Sequence, residues 1–88
     1  MVVVTCMEFL LGVLYSGPAG VEDLKRWASR YCSKTPCPWT EEDLDREVNI
    51  LVSTGLLVGR NGVLMLERDR LHPVHKRIAE TVSREVRP

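Results

Sequence analysis

The stretch TEEDLDREVNILVSTGLLVGRNGVLML, residues 40–66, constrains the fold more than any other part of the chain. Thr40 and Asp43 have the spacing of a capping box, in which each side chain accepts a backbone N–H at the start of a helix. Gly55 follows the last apolar residues of the predicted helix and is placed to adopt the left-handed conformation that ends it. The stretch therefore predicts a helix that starts at Thr40 and stops at Gly55.

An Asn61-Gly62 dipeptide follows, between two short apolar runs. A two-residue type I′ turn needs positive φ at both central positions, and this dipeptide tolerates them best. The runs on either side are therefore predicted to pair as the strands of a short β-hairpin.

The rest of the chain predicts three further helices. Thr5 and Glu8 form a second capping box, and the helix it starts runs to Tyr15, before Ser16-Gly17-Pro18. A second helix spans about Val21 to Cys32, where apolar residues recur at three- and four-residue steps. A last helix opens at His72-Pro73, with proline at its first position. The predicted fold class is mainly α with a small β-hairpin.

The helix after Thr40 has two distinct faces when about 100° of rotation is assigned to each residue. Trp39 and Leu44 fit a hydrophobic staple, and Leu44, Val48, Leu51 and Val52 are predicted to face the core. The opposite face carries Glu42, Arg46, Asn49, Ile50 and Ser53. Arg, Asn and Ser can form hydrogen bonds with base edges, so Arg46, Asn49 and Ser53 are candidate base-reading residues.

This helix is acidic, which opposes binding to nucleic acid. The acids Glu41, Asp43, Asp45 and Glu47 are predicted to lie on its flanks or near the core boundary. Glu42 and Arg46 are four residues apart, so an ion pair between them is expected.

The whole chain has 12 basic and 12 acidic residues and so gives no overall attraction to a polyanion. The basic residues are unevenly placed, however. Residues 25–34 contain four bases and no acid. The candidate contacts to a DNA backbone are the bases Lys25, Arg26, Arg30, Lys34, Arg60, Arg68 and Arg70.

Two segments carry a resemblance to a known family. The segment EFLLGVLYSGPAGVEDLKRWA resembles the start of PadR-type domains, and REVNILVSTGLLVGRNGVLML resembles the recognition helix and wing of bacterial and archaeal regulators. Over roughly residues 5–68 the chain is similar to small winged-helix proteins, the compact archaeal and archaeal-virus transcription regulators. It resembles PadR- and MarR-type repressors more distantly.

The resemblance implies a winged helix-turn-helix domain at residues 1–70 and an additional C-terminal helix at residues 71–88. It implies a transcription regulator that binds specific double-stranded DNA as a homodimer. The third helix would enter the major groove, with Arg46, Asn49 and Ser53 on bases, and Arg60 and Asn61 would form the wing contact. The dimerisation residues would be Leu71, Val74, Ile78, Val82 and Val86.

An alternative class also fits the residues. The neutral charge and the acidic third helix suit a winged helix used for protein–protein contact without DNA binding. The first helix is apolar around most of its circumference, so it needs cover on more than one side, and a second subunit is expected to supply it.

The three cysteines allow a disulfide, whereas the spacing of the two histidines argues against a zinc site. Cys32 and Cys37 can pair across the loop that follows the second helix, whereas Cys6 is expected to be a buried small apolar residue. A zinc site formed with His72 and His75 is disfavoured, because only two residues separate the histidines.

No catalytic triad, glycine-rich phosphate loop or paired carboxylates occur, so an enzyme is not expected, nor is a cofactor or a small-molecule ligand. No apolar run has the length of a membrane span and no signal peptide is evident, so the expected location is the cytoplasm. The chain has no Gln and two Asn, a composition that suits an archaeal-like, thermophilic source.

Overall fold

Helices and one small sheet make up the computed structural model, which describes residues 4–34 and 37–86. In chain order the elements are α1 (Cys6–Tyr15), β1 (Ala19–Gly20), α2 (Val21–Lys34), α3 (Glu41–Ser53), β2 (Leu57–Arg60), β3 (Val63–Leu66) and α4 (Pro73–Val86), with a 3₁₀ turn at Arg68–Arg70 before α4. A mainly α fold with a small hairpin is thus confirmed. Outside the described residues lie both ends of the chain, 1–3 and 87–88, and residues 35–36 of the predicted loop after the second helix.

Both predicted capping boxes are present. The Thr5 hydroxyl accepts the N–H of Glu8 at 3.2 Å, and the Thr5 N–H donates to Glu8 Oε1 at 3.0 Å. Thr40 and Asp43 repeat the exchange at the start of α3, at 3.3 and 2.8 Å. Each box satisfies two backbone groups that the helix leaves without partners, which fixes where α1 and α3 begin.

The second helix is longer than predicted. It continues past Cys32 to Lys34, and the Ser33 hydroxyl donates to the carbonyl of Arg30 at 2.7 Å. The prediction ended at the last apolar residue of the periodic pattern, but polar residues can extend a helix on its solvent side. Lys34 also places a positive charge at the helix C-terminus, where the dipole favours it.

The hairpin turns at the predicted dipeptide. Asn61 and Gly62 have φ values of 52° and 77°, and β2 and β3 pair from Leu57 with Leu66 to Arg60 with Val63. A third strand, β1, was not predicted; it pairs with β3 and gives the sheet order β1-β3-β2. Two residues are too few to show the alternation that reveals a strand.

The core is centred on α1, in which Phe9, Leu10, Leu11, Val13 and Leu14 are all buried. This helix packs most extensively against α4, and Gly12 allows the close approach. A Cβ atom on Gly12 would lie 2.7 Å from Val82 Cβ. The cover that α1 needs on its second side therefore comes from the same chain, and the expectation that a second subunit supplies it is wrong.

One residue of α3 that was predicted to face the core does not do so. Leu44 and Leu51 are buried and Val48 is half-buried, but Val52 is 41% exposed. At about 100° per residue, Val52 lies roughly 70–80° from the centre of the stripe formed by the other three. It falls on the flank of α3 and reaches solvent.

Candidate nucleic-acid interface

The outward face of α3 is accessible along its length. Glu42, Arg46, Asn49, Ile50 and Ser53 are all exposed, as the rotational phase of the helix predicted. The last turns of α3 carry Asn49, Ile50 and Ser53, and the first turn carries Glu42. Any partner of α3 therefore meets polar and apolar groups side by side.

Arg46 is paired, but not with the predicted partner. Its Nη1 donates to Asp43 Oδ1 at 3.1 Å, three residues earlier, so the expected pair with Glu42 is wrong. The capping box explains the choice, because Asp43 Oδ2 is held by the Thr40 N–H and the carboxylate presents Oδ1 to the next turn. The Thr40 N–H is the main cause that lowers the pKa of Asp43. The Thr40 hydroxyl and Arg46 assist, while partial burial acts in the opposite direction.

The other two candidate base-reading residues differ in availability. The Asn49 side chain makes no hydrogen bond with any residue that the structure describes. The Ser53 hydroxyl donates to the carbonyl of Ile50 at 2.9 Å, so it remains available only as an acceptor. Asn49 can therefore offer both an amide donor and a carbonyl acceptor to a ligand, whereas Ser53 offers less.

Lys25 of α2 neutralises part of the acidity of α3. Its Nζ lies 3.4 Å from Glu41 Oε1 and 3.8 Å from Asp45 Oδ1. The charge of Asp45 is the main cause that raises the pKa of Lys25, the hydrogen bond that Lys25 donates to Glu41 adds to it, and partial desolvation acts in the opposite direction. This residue ties α2 to α3, and its charge is already balanced within the chain.

Three more of the candidate phosphate-binding bases have partners of their own. Arg26 forms an ion pair with Asp23 on the same helix. Arg68 donates to the carbonyl of Tyr15, with its guanidinium carbon 4.5 Å from the centre of the Tyr15 ring. Arg70 Nη1 approaches the Gly55 carbonyl at 3.4 Å.

The remaining bases are Arg30, Lys34 and Arg60. All three are exposed, and none forms an ion pair within the ranges 4–34 and 37–86. Arg30 and Lys34 lie in the last turns of α2, and Arg60 ends β2 beside the exposed Asn61. Of the seven predicted basic contacts, these three have no side-chain partner among the described residues, whereas Arg68 and Arg70 also keep their charge but hold backbone carbonyls.

Sequence reasoning placed Ile50 on the outward face of α3 but missed three other exposed apolar residues. Ile50 and Val52 on α3 are 45% and 41% exposed, and Val63 and Met65 on β3 are 42% and 44% exposed. In β3 these two residues alternate with the buried Leu64 and Leu66, so the period-2 pattern of the strand was the available signal. All four residues of β3 are apolar, so hydropathy alone does not distinguish its exposed positions from its buried ones.

The predicted dimerisation residues divide into two groups. Leu71, Val82 and Val86 are buried against the chain's own core. Val74 is 58% exposed and Ile78 is half-buried. These two help to line a groove of about 540 Å³ beside α4, together with Glu8, Pro73, Arg77, Thr81 and Val82.

Cys32 and Cys37 are joined by a disulfide, whereas Cys6 is a free, buried thiol. Burial is the main cause that raises the pKa of Cys6 to about 12, and the charges of Glu47 and Asp43 contribute.

His72 accepts the N–H of Val74 at the start of α4, so it serves as a cap. No group of three metal-ligating side chains occurs in the described part of the chain.

None of the helices within the described residues combines the length and the apolar character needed to cross a membrane. Comparisons with protein-family models, with curated proteins and with solved structures found no match to this chain.

Proposed function

We propose that this chain is a winged helix-turn-helix protein that binds double-stranded DNA as a homodimeric transcription regulator. In this proposal α2 and α3 form the helix-turn-helix, with α3 in the major groove, and β2 and β3 form the wing. The order of the elements supports it, since two helices are followed by a capped helix and a tight hairpin. The pairing of β1 with β3 anchors the wing beside the start of α2.

One observation carries the proposal. The acids on the first half of α3 are largely paired within the chain, Glu41 and Asp45 with Lys25, and Asp43 with Arg46. The amide of Asn49 is exposed and has no hydrogen bond to any residue in the ranges 4–34 and 37–86. An asparagine amide can bond adenine N6 and N7 together, so α3 presents a free group suited to base reading while its acidity is partly balanced.

The phosphate contacts would come from Arg30 and Lys34 at the end of α2 and from Arg60 on the wing. We expect binding to duplex DNA to weaken as salt rises, because each neutralised phosphate releases counterions. Arg30→Ala should reduce the slope of log affinity against log salt by about 1.

Arg26→Ala is the matched control, because the guanidinium of Arg26 is already paired with Asp23. It should change the slope less than Arg30→Ala does. Titration of a labelled duplex at several salt concentrations measures both variants. Equal effects of the two substitutions would exclude a special role for Arg30, and absence of binding at low salt would exclude DNA as the partner.

Base reading is tested by selection from random duplexes. Asn49→Ala should lower the preference for the selected sequence by roughly 1–3 kcal/mol and change general affinity little. Arg46→Ala should act in the same direction, and Ser53→Ala should act more weakly because its hydroxyl is committed to Ile50. Equal loss on selected and random duplexes would remove Asn49 and Arg46 from this role.

The homodimer would use what α4 leaves outside the core, namely Val74, Ile78 and the groove beside them. Val74→Glu should favour the monomer in sedimentation experiments without DNA. Lys76→Gln is the matched control, since it changes the net charge by the same amount and lies about 200° around α4 from Val74. Identical association of wild type and both variants would place any dimer contact elsewhere.

The exposed apolar residues favour a second candidate function. Ile50 and Val52 on α3 suit a protein partner better than a phosphate backbone, and aliphatic side chains on an exposed face often mark such contacts. In a protein–protein module, Ile50→Ser would abolish partner binding. The salt dependence of DNA binding decides between the two candidates.

A further inference from the structure

A disulfide spans the connection between the two helices of the proposed helix-turn-helix. It joins Cys32, near the end of α2, to Cys37, three residues before the N-cap Thr40 of α3, with the two Cα atoms 5.3 Å apart. Both cysteines are half-buried, so a small reductant can approach them from solvent.

The segment after Cys37 is anchored at its other end by Trp39. The Trp39 Nε1 donates to the carbonyl of Val4 at 2.9 Å, and its ring lies 5.4 Å from the ring of Phe9 in α1. The start of α3 is therefore held through two points, Trp39 on α1 and the disulfide on α2.

The non-covalent contacts between α2 and the start of α3 are weaker. The Lys25 ion pairs with Glu41 and Asp45 are partly or largely exposed, and such pairs contribute little to stability. A cleft of about 230 Å³ separates the helices here, with Ala28 and Cys32 on one side and Trp39 and Leu44 on the other. Because these ion pairs are exposed and a cleft opens between the helices, the disulfide is a main restraint on the start of α3 relative to α2.

The third cysteine does not compete in this chemistry. Cys6 is buried in the core, and its raised pKa keeps it protonated at neutral pH. Thiol–disulfide exchange requires a thiolate, so Cys6 does not attack the disulfide. The oxidised chain has one thiol and the reduced chain has three.

We propose that the Cys32–Cys37 disulfide is a redox-sensitive clamp that sets the position of α3, and that a dithiol reductant releases it. One thiolate of the reductant attacks either sulfur, which breaks the S–S bond and forms a mixed disulfide. The second thiol of the reductant then displaces the protein cysteine. Two electrons and two protons pass to Cys32 and Cys37, and the reductant becomes a cyclic disulfide.

The effect of the clamp on DNA rests on the proposed function, but the effect on α3 does not. Reduction should raise the equilibrium constant for unfolding by about 40-fold, the value expected when a loop this short is opened. It should also speed amide hydrogen exchange in the first turn of α3 and shift the emission of Trp39. The affinity for duplex DNA should fall about tenfold or more once α3 is no longer held in position. A tenfold loss corresponds to about 1.4 kcal/mol of binding free energy.

The test compares the oxidised chain with the chain treated with dithiothreitol, using Trp27→Phe so that Trp39 alone reports. The double variant Cys32→Ser, Cys37→Ser should match the reduced chain and should not respond to the reductant. Cys6→Ala is the matched control, because it removes a cysteine and keeps the disulfide. Re-oxidation of the treated wild type should restore the original signals, which provides the test even if the double variant does not fold.

Unchanged Trp39 emission and unchanged exchange in α3 after reduction would overturn the clamp. Equal DNA affinity of the oxidised and reduced chains would overturn its control of binding. If neither form binds DNA, the proposed function fails, and the exchange and fluorescence measurements still decide the clamp.

Discussion

Asp43 shows how one side chain can serve the fold and limit the function. It caps α3 through the N–H of Thr40 and also holds the guanidinium of Arg46. The same carboxylate therefore fixes where the helix starts and restrains the arginine that was expected to read bases. Under the proposed function, a base that recruits Arg46 would have to compete with this ion pair, so Asn49 would be the better-placed reader.

The cap makes the stability of α3 sensitive to acid. Because the pKa of Asp43 is lower in the folded chain, its contribution is present above the unfolded pKa of about 3.9 and is lost as pH falls through the folded value. The free energy of unfolding should therefore decrease below about pH 4 more in wild type than in Asp43→Asn. Urea unfolding at a series of pH values measures the difference, and parallel profiles would contradict it.

Close contact between α1 and α4 is the main packing feature at the scale of whole elements. Because Gly12 has no side chain, α1 and α4 can come close together at this point. A Cβ atom on Gly12 would meet the Val82 side chain and the backbone of Ser83. Glycine lowers the intrinsic stability of a helix, so its presence in α1 is explained by this contact rather than by helix propensity.

Replacing Gly12 with alanine should destabilise the protein, although an exposed helical Gly→Ala change would stabilise it. The added methyl group would overlap the Val82 side chain, and overpacking of this kind costs about 1–3 kcal/mol. Thermal or urea unfolding measures the loss. The double variant Gly12→Ala, Val82→Ala should lose less unfolding free energy than the sum of the losses in the two single variants. Simple additivity would show that the two side chains do not meet.

The hairpin depends on backbone conformation rather than on space. Gly62 has a φ of 77°, and a Cβ atom added to it would have no neighbour within 4 Å. Gly62→Ala should nevertheless destabilise the chain by about 1 kcal/mol, because L-residues disfavour the left-handed region. Gly59→Ala is the control, since its Cβ would make an ordinary contact with Leu64 at 3.4 Å. Equal unfolding midpoints for the two variants would contradict the assigned turn.

For the molecule as a whole, the last helix completes the core. Ala79, Val82 and Val86 of α4 are buried, and α1 has no other cover on that side within the described residues. The helix that the resemblance assigned to dimerisation is thus needed to complete the core of the single chain. Of the five predicted dimerisation residues, only Val74 and Ile78 are accessible to a second copy.

Truncation tests this requirement. A fragment that ends at Leu71 should lose cooperative unfolding, because the apolar face of α1 would be exposed to water. A fragment that ends at Val86 keeps α4 and should melt like the full chain. Circular dichroism during heating compares the two, and a cooperative transition in the shorter fragment would show that residues 1–71 fold alone.

Local signals in the sequence determined the starts of α1 and α3, the glycine stop at Gly55 and the Asn61-Gly62 turn. Each depends on side chains within a few residues of the backbone groups they satisfy, and Gly55 and Gly62 adopt the positive φ that was expected. The outward exposure of Asn49 and Arg46 followed in the same way, from the rotation of a single helix.

The tertiary structure alone decided which charges remain available and what covers α1. Whether Arg46 bonds Asp43 or Glu42 depends on rotamers, and the pairing of Lys25 with Glu41 and Asp45 depends on how α2 and α3 cross. The strand at Ala19–Gly20 exists only because β3 lies beside it. These contacts join residues that are distant in the chain, or depend on side-chain geometry, so periodicity and capping patterns carry no information about them.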